Sequence, residues 1–220
     1  MKRYTELHKI HQECENERYK ISHKVFKPDF RMMLDPEYRE QVEGDIITTL
    51  FDKEKREIVM SDSVMEKRTN LPFVNSAKGD VLIGGLGLGM IILAIQDNPE
   101  VKSITVVEID EQLRDLVMLG LKDKLNSKVE IVISDIKEYQ TDKKFDTIYF
   151  DIWNKVTDSN FQDMYELKAK FLRNTSDENN ISSWRAIDVA YMSEEDERMA
   201  ILTDEEVEIL EEIEYEERYC

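Results

Sequence analysis

Short apolar runs alternate with helix-length amphipathic stretches through the middle of the chain. Val81-Leu82-Ile83, Ile104-Thr105-Val106-Val107, Val129 to Ile133 and Thr147-Ile148-Tyr149-Phe150 each have strand length, and helical patterns over Met90 to Gln96 and Glu111 to Leu121 separate the first three. Strands alternating with helices at this spacing predict a parallel sheet with right-handed crossovers. Both faces of such a sheet are covered, which accounts for the near-continuous apolar runs. Ahead of this block, Ile46 to Phe51 and Glu57 to Met60 flank the charged turn Asp52 to Arg56 and predict a β-hairpin. A polar stretch, Ser61 to Asn70, then leads through Pro72 and a short helix to Lys78-Gly79-Asp80.

The ends are less regular. Tyr4, Leu7, Ile10 and Cys14 carry a weak helical pattern, so residues 1–44 are read as a helical segment with loop. Phe161 to Leu172 predicts a helix, Thr175 to Asn180 a loop, and Trp184 to Met192 either helix or strand. Thr203-Asp204-Glu205-Glu206 has the spacing of a capping box before Val207, Leu210 and Ile213, which predicts a last amphipathic helix. The expected class is α/β, Rossmann-like, with a mainly parallel sheet and an N-terminal hairpin. The division is a helical segment over 1–44, a ligand-binding body over 45–192 and an acidic C-terminal helix over 193–220.

Composition narrows this picture. A chain of 220 residues with 41% hydrophobic content can bury one good core but not two. No run nears the roughly 18 to 20 apolar residues that cross a bilayer, and the first residues carry no apolar signal region. The expectation is a cytoplasmic protein without a membrane partner. Cys14 and Cys220 lie at opposite ends and are expected as free thiols. The net charge is -18, of which Ser193 to Cys220 contributes -11. So acidic a surface repels phosphate backbones, making nucleic acid a disfavoured partner. The acidic tail is read as a solvated helix face or as a contact for a partner or sister subunit, which leaves a homo-oligomer open.

Four features fall at the carboxyl ends of the four strands, the edge where open α/β sheets bind ligands. The first is the turn Gly85-Leu86-Gly87-Leu88-Gly89, whose glycines let the backbone bend tightly near a ligand. Met90 stands where a dinucleotide fingerprint has its third glycine, which weakens a nicotinamide reading. Glu108 closes the second strand and can accept both hydroxyls of a ribose. Asp135 closes the third and can meet an adenine amino group with Ile136 beside the ring, or can serve as a helix N-cap. Asp151 closes the fourth, where a carboxylate can orient or deprotonate an amine, or act as a turn residue. Trp153 follows and can wall an acceptor pocket or pack in the core, and Trp184 is read as packing. His8, His11 and Cys14 lie three residues apart, but no second cluster completes a metal site, so they are read as a solvated helix face and no metal is expected.

Val81 to Gly89, Val107-Glu108-Ile109-Asp110, Ser134-Asp135 and Phe145 to Asp151 together resemble motifs one to four of class I S-adenosylmethionine-dependent methyltransferases, in the version found in the spermidine synthase-like branch. The resemblance covers about half of the chain, from Asp45 to Trp153. It implies S-adenosylmethionine as cofactor, held by Gly85, Gly87, Gly89, Glu108, Asp135 and Ile136, with Asp151 facing donor and acceptor. Departures bear on the reaction. The tyrosine and glutamine of aminopropyltransferases fall on Val64 and Met65, although Glu66 is kept as a substrate contact. Their DxxD pair reads Asp151-Ile152-Trp153-Asn154, and Leu88 is apolar where the synthases often carry an acid. A dicationic polyamine needs several carboxylates, whereas methyl transfer needs alignment and water exclusion. The Asp/Asn-Pro-Pro-aromatic motif of DNA base methyltransferases is also unmatched. The implied function is methyl transfer to N or O of a small molecule or protein, with Trp153 and Glu66 on the acceptor side. Aminopropyl transfer and a non-catalytic S-adenosylmethionine-binding module are the alternatives.

Overall fold

The computed structural model describes residues 4–29, 38, 40–193 and 197–219. Its centre is a parallel sheet of five strands, β5 (Gly79–Gly84), β6 (Val101–Glu108), β7 (Val129–Ile133), β8 (Thr147–Phe150) and β9 (Ile181–Ser183). They stand in the order β7-β6-β5-β8-β9, every pairing parallel. The chain steps outward from β5 to β6 and β7, then returns to the other side of β5 with β8. That reversal puts a crevice between the carboxyl ends of β5 and β8, where neighbouring connections leave in opposite directions. Val81, Leu82, Ile83, Ile104, Val106 and Ile148 are fully buried, as a two-sided sheet requires. This is the Rossmann-like α/β arrangement that the strand spacing predicts.

Helices α3 (Met90–Ile95) and α4 (Glu111–Leu121) make the crossovers on the β6 and β7 side. The Asp110 carboxylate caps α4 by accepting from the backbone N–H of Gln112 at 2.8 Å and of Leu113 at 3.3 Å. Before the sheet come α1 (Val64–Thr69) and α2 (Leu71–Ser76), between β8 and β9 comes α5 (Asn160–Phe171), and after β9 come α6 (Ala186–Met192) and α7 (Asp204–Tyr219). The capping box at the start of α7 is formed. Glu206 N–H donates to Thr203 Oγ1 at 3.3 Å, and Thr203 N–H donates to Glu206 Oε2 at 2.8 Å.

Over the described residues 4–29 the N-terminal segment is built on strands where a helix was expected. Those residues hold the 3-10 turn Leu7–Lys9 and two strands, β1 (Cys14–Glu15) and β2 (Tyr19–Val25). β2 pairs antiparallel with β3 (Ile46–Asp52) from Tyr19↔Asp52 to Val25↔Ile46, and β3 pairs with β4 (Glu57–Ser61). The expected hairpin is therefore one half, ending at the β4 edge, of a four-stranded sheet, β1-β2-β3-β4, and a boundary at 45 would cut between the paired strands β2 and β3. Tyr19 and Ile21 are buried while Lys20 between them is exposed, and this period-two signal outweighs the weak helical spacing before it.

His11 is not on a solvated face. It is buried, and its Nε2 donates to the Leu88 carbonyl at 2.9 Å. Among the described residues no three His, Cys, Asp or Glu side chains form a metal-binding group, and no helix is long and apolar enough to cross a membrane. Cys14 is a free, half-buried thiol, and Cys220 lies outside the described residues. After β8, β9 is the one further strand of the parallel sheet, and no antiparallel pair follows it among the described residues.

Candidate functional site

The crevice at the β5–β8 edge opens into a cavity of about 540 Å³. Gly85, Gly87, Glu108, Asp135, Ile136, Asp151, Trp153 and Glu66 all line it, so the structure brings together every sequence-predicted site residue except Gly89. Gly89 lies behind the loop, at the start of α3.

The glycine turn has left-handed backbone at Gly85 (φ 98°), Gly87 (φ 49°) and Gly89 (φ 76°), a region that side chains disfavour. What fills the space beside these glycines is protein. A Cβ on Gly85 would stand 2.2 Å from the Asp151 carbonyl oxygen, one on Gly87 2.3 Å from Met60 Sδ, and one on Gly89 2.5 Å from Leu121 Cδ1. The glycines therefore let β8, the hairpin and α4 close onto the loop. Leu88, the apolar departure in the motif, is fully buried, and its N–H points at Met60 Sδ, 3.0 Å away.

Glu108 is buried at the end of β6. Its Oε2 accepts from Leu86 N–H at 2.9 Å and its Oε1 from Asp110 N–H at 2.8 Å. Burial raises its pKa, opposed by the backbone donors of Asp110, Leu86 and Ile109. With three backbone donors against about four lone pairs, the carboxylate keeps acceptor capacity for a hydroxyl in the cavity. No helix follows Asp135 before β8 among the described residues, so it does not cap one. Its Oδ1 accepts from Lys137 N–H at 2.8 Å and its carbonyl from Glu138 and Tyr139, which starts a turn, while the residue still lines the cavity beside buried Ile136.

Asp151 differs from these carboxylates. Its backbone N–H donates to the Gly84 carbonyl at 2.9 Å, but its half-buried carboxyl group has no hydrogen-bond partner among the described residues. Burial without compensation pushes its pKa up to about 7. Trp153 directs its indole N–H toward Asp163 Oδ2 at 3.4 Å, and Asp163 pairs with Lys137 at 2.5 Å. Trp153 also packs against all three apolar clusters, so wall and packing coincide in one side chain. Asn154, in the position of the absent second carboxylate, donates to Glu57 Oε1 of β4 at 3.0 Å.

One group of site residues escaped the sequence reading. Arg18 donates to Asp52 Oδ2 (3.0 and 2.9 Å) and to Asp110 Oδ2 (2.7 Å), and the Tyr19 hydroxyl donates to the same Asp110 oxygen at 2.8 Å. All four line the cavity beside Glu108. Their only signal was the Tyr19-Lys20-Ile21 alternation, which the helical reading hid. Seven carboxylates line the cavity (Asp52, Glu66, Glu108, Asp110, Asp135, Asp151, Asp163) against three cations (Arg18, Lys55, Lys137), an excess that suits a cationic ligand.

No protein-family model matches the chain, and no curated protein matches it. Solved structures with a similar fold include the YcgJ protein from Bacillus subtilis, 18% identical with a TM-score of 0.40 over 50% of this chain and 46% of that one. Spermidine synthase from Thermotoga maritima is 16% identical with a TM-score of 0.45 over 74% and 53%. The N-methyltransferase NodS from Bradyrhizobium japonicum, in complex with S-adenosyl-L-homocysteine, is 16% identical with a TM-score of 0.39 over 51% and 57%. The chain spans about half the length of these proteins, at low identity.

Proposed function

We propose that this chain binds S-adenosylmethionine at the β5–β8 edge and transfers its methyl group to N or O of a small-molecule or protein acceptor. The observation that carries the reading is Asp151, an unpartnered carboxyl group with a pKa of about 7, in one cavity with the glycine turn and Glu108.

The residues present fit the cofactor. Glu108 keeps acceptor capacity for a ribose hydroxyl, Ile91, Leu113 and Ile136 supply apolar surface for an adenine ring, and the surplus of carboxylates favours a sulfonium cation. When bound, the cofactor supplies a methyl carbon that the acceptor's lone pair attacks, the C–S bond pair leaving on sulfur as a thioether. This chain's residues orient the acceptor, exclude water and take up the proton it loses. Asp151 suits the last task, because a base works best with a pKa near the operating pH. Trp153 and Glu66 bound the acceptor side. The surface charge favours a small molecule or protein over nucleic acid.

Aminopropyl transfer is less well supported. The second carboxylate of that chemistry is Asn154, and its amide is committed to Glu57. Calorimetric titration with S-adenosylmethionine and S-adenosylhomocysteine tests the binding step. Micromolar affinity lost in Glu108→Ala is expected, and absence of binding by the native protein sinks the proposal. Incubating extracts with methyl-labelled S-adenosylmethionine, and in parallel with its decarboxylated form, separates methyl from aminopropyl transfer. Retained binding with no transfer from either donor, and a biological effect untouched by Asp151→Ala, would leave a binding module.

A further inference from the structure

A second cavity, of about 710 Å³, adjoins the first across Glu66 and Asn154, which line both. Its walls differ in character. Met65 from α1, Trp184 from the end of β9, Ile187, Tyr191 and Met192 from α6, and Ile213 from α7 supply its apolar surface, beside Lys155, Thr157 and the Arg185–Asp188 pair. Tyr191, Met192 and Ile213 are 41%, 53% and 38% exposed, a run of open apolar side chains on an otherwise strongly acidic protein.

The cavity is built rather than incidental. Trp184 is buried, and its indole N–H donates to Thr69 Oγ1 at 3.0 Å, which fixes the ring as a wall. The next residue, Arg185, has φ 54°, a left-handed conformation that a non-glycine side chain disfavours. Its guanidinium is held by Asp188 through bonds of 3.0 and 3.2 Å. This turn stands at the carboxyl end of β9, on the same sheet edge as Asp151. The apolar Met65, where the polyamine-using enzymes carry a polar side chain, faces this cavity.

We propose that this second cavity is the acceptor subsite and that its ligand is an amine carried on an extended apolar body. The apolar body would lie along Met65, Trp184, Ile187 and Ile213, with the amine at the Glu66–Asn154 junction, facing the acidic first cavity. The proposal rests on the methyl-transfer reading of the first cavity, and it narrows the acceptor to a class that a polar diamine does not meet.

Calorimetry with n-alkylamines from butylamine to decylamine, against putrescine and spermidine, tests it on the full chain saturated with S-adenosylhomocysteine. Affinity should rise about 3- to 4-fold per added methylene until the cavity is filled, and both polyamines should bind more weakly than hexylamine. Met192→Asp and Ile213→Asp should reduce the gain per methylene while S-adenosylhomocysteine affinity stays unchanged. Affinity independent of chain length, or polyamines binding best, overturns the assignment. Concentration-dependent dimerisation in light scattering that both variants abolish would give the groove to a second copy and equally overturn it. If S-adenosylhomocysteine itself does not bind, the functional reading fails, and the same alkylamine series on the free protein still decides whether the cavity takes apolar amines.

Discussion

At the residue scale, two positions at the sheet edge make opposite demands on stability. Asp151 is unfavourable when ionised, because its raised pKa means that the folded state holds its proton more tightly than the unfolded chain. The sign follows. Folded stability from this group is fully present below the unfolded value of about 4 and is lost as pH rises through about 7. Asp151→Asn should therefore raise the melting stability at pH 8 by about 1–3 kcal/mol, after discounting for partial exposure, and change little at pH 4. The same variant should remove the rise in methyl transfer between pH 6 and 8 expected of a base with this pKa. Thermal melts and pH-rate profiles check both, and a variant destabilised at pH 8 would count against an unpartnered carboxylate. The glycines make the complementary case. Gly85→Ala drives a Cβ into the backbone carbonyl of Asp151, which cannot yield, and should cost at least ~2 kcal/mol together with cofactor affinity. Gly87→Ala meets only the flexible Met60 side chain, so adding Met60→Ala should restore part of its loss, whereas it should do nothing for Gly85→Ala.

At the scale of elements, the N-terminal sheet is fastened to the ligand edge through a few polar contacts. Arg18 and Tyr19 on or beside β2 converge on Asp110, the N-cap of α4, and Asn16 Nδ2 donates to the Gln112 carbonyl at 2.8 Å. Burial pulls the Asp52 carboxyl up, but the Lys55 N–H and Arg18 bonds outweigh it and leave the pKa lowered. Arg18→Ala leaves a buried Asp52 and a half-buried Asp110 short of a partner. It should weaken S-adenosylmethionine binding about tenfold and speed amide exchange in β2, both measurable on the folded variant. These contacts also mark the limit of what the sequence conveyed. Four parallel strands and α4 were legible because each carries a near-continuous apolar run or a full amphipathic repeat, and Glu108 and Asp151 followed from standing at strand ends. β2 was missed because only Tyr19 and Ile21 point inward, and two apolar residues cannot outvote neighbouring ambiguity. β9 was missed because three residues, Ile181-Ser182-Ser183, acquire strand character only from pairing with β8. The second cavity was equally hidden, since its walls come from four separated segments.

At the scale of the whole molecule, net charge and buried acids act in the same direction. A charge of -18 repels itself in the compact state. Burial raises the pKa of Glu108 and Glu206 as well as Asp151, so all three favour the folded state more as pH falls through their raised folded values toward the unfolded ones. Opposing them at lower pH, Glu57 is held down by hydrogen bonds from Lys155 and Asn154, and Asp52 is lowered on balance, so these contributions are lost below about pH 4. Stability should peak near pH 5 to 6 rather than at 7 or above. The melting temperature at pH 6 should exceed that at pH 8 by several degrees, at about 2–4 °C per kcal/mol for a chain of this size. Added salt should narrow the gap by screening surface repulsion, but it should not close it, because the buried carboxyls are poorly screened. Asp151→Asn should close a further part at every salt concentration. Helix α7 tests the same balance locally. Its acidic first turn sits on a capping box and Leu210 is fully buried, so Thr203→Ala should cost about 1 kcal/mol and Leu210→Ala about 2–4 kcal/mol. If α7 were only a solvated tail, neither change would move the melting temperature. If it closes the core and one wall of the second cavity, Leu210→Ala should lower stability and alkylamine affinity together.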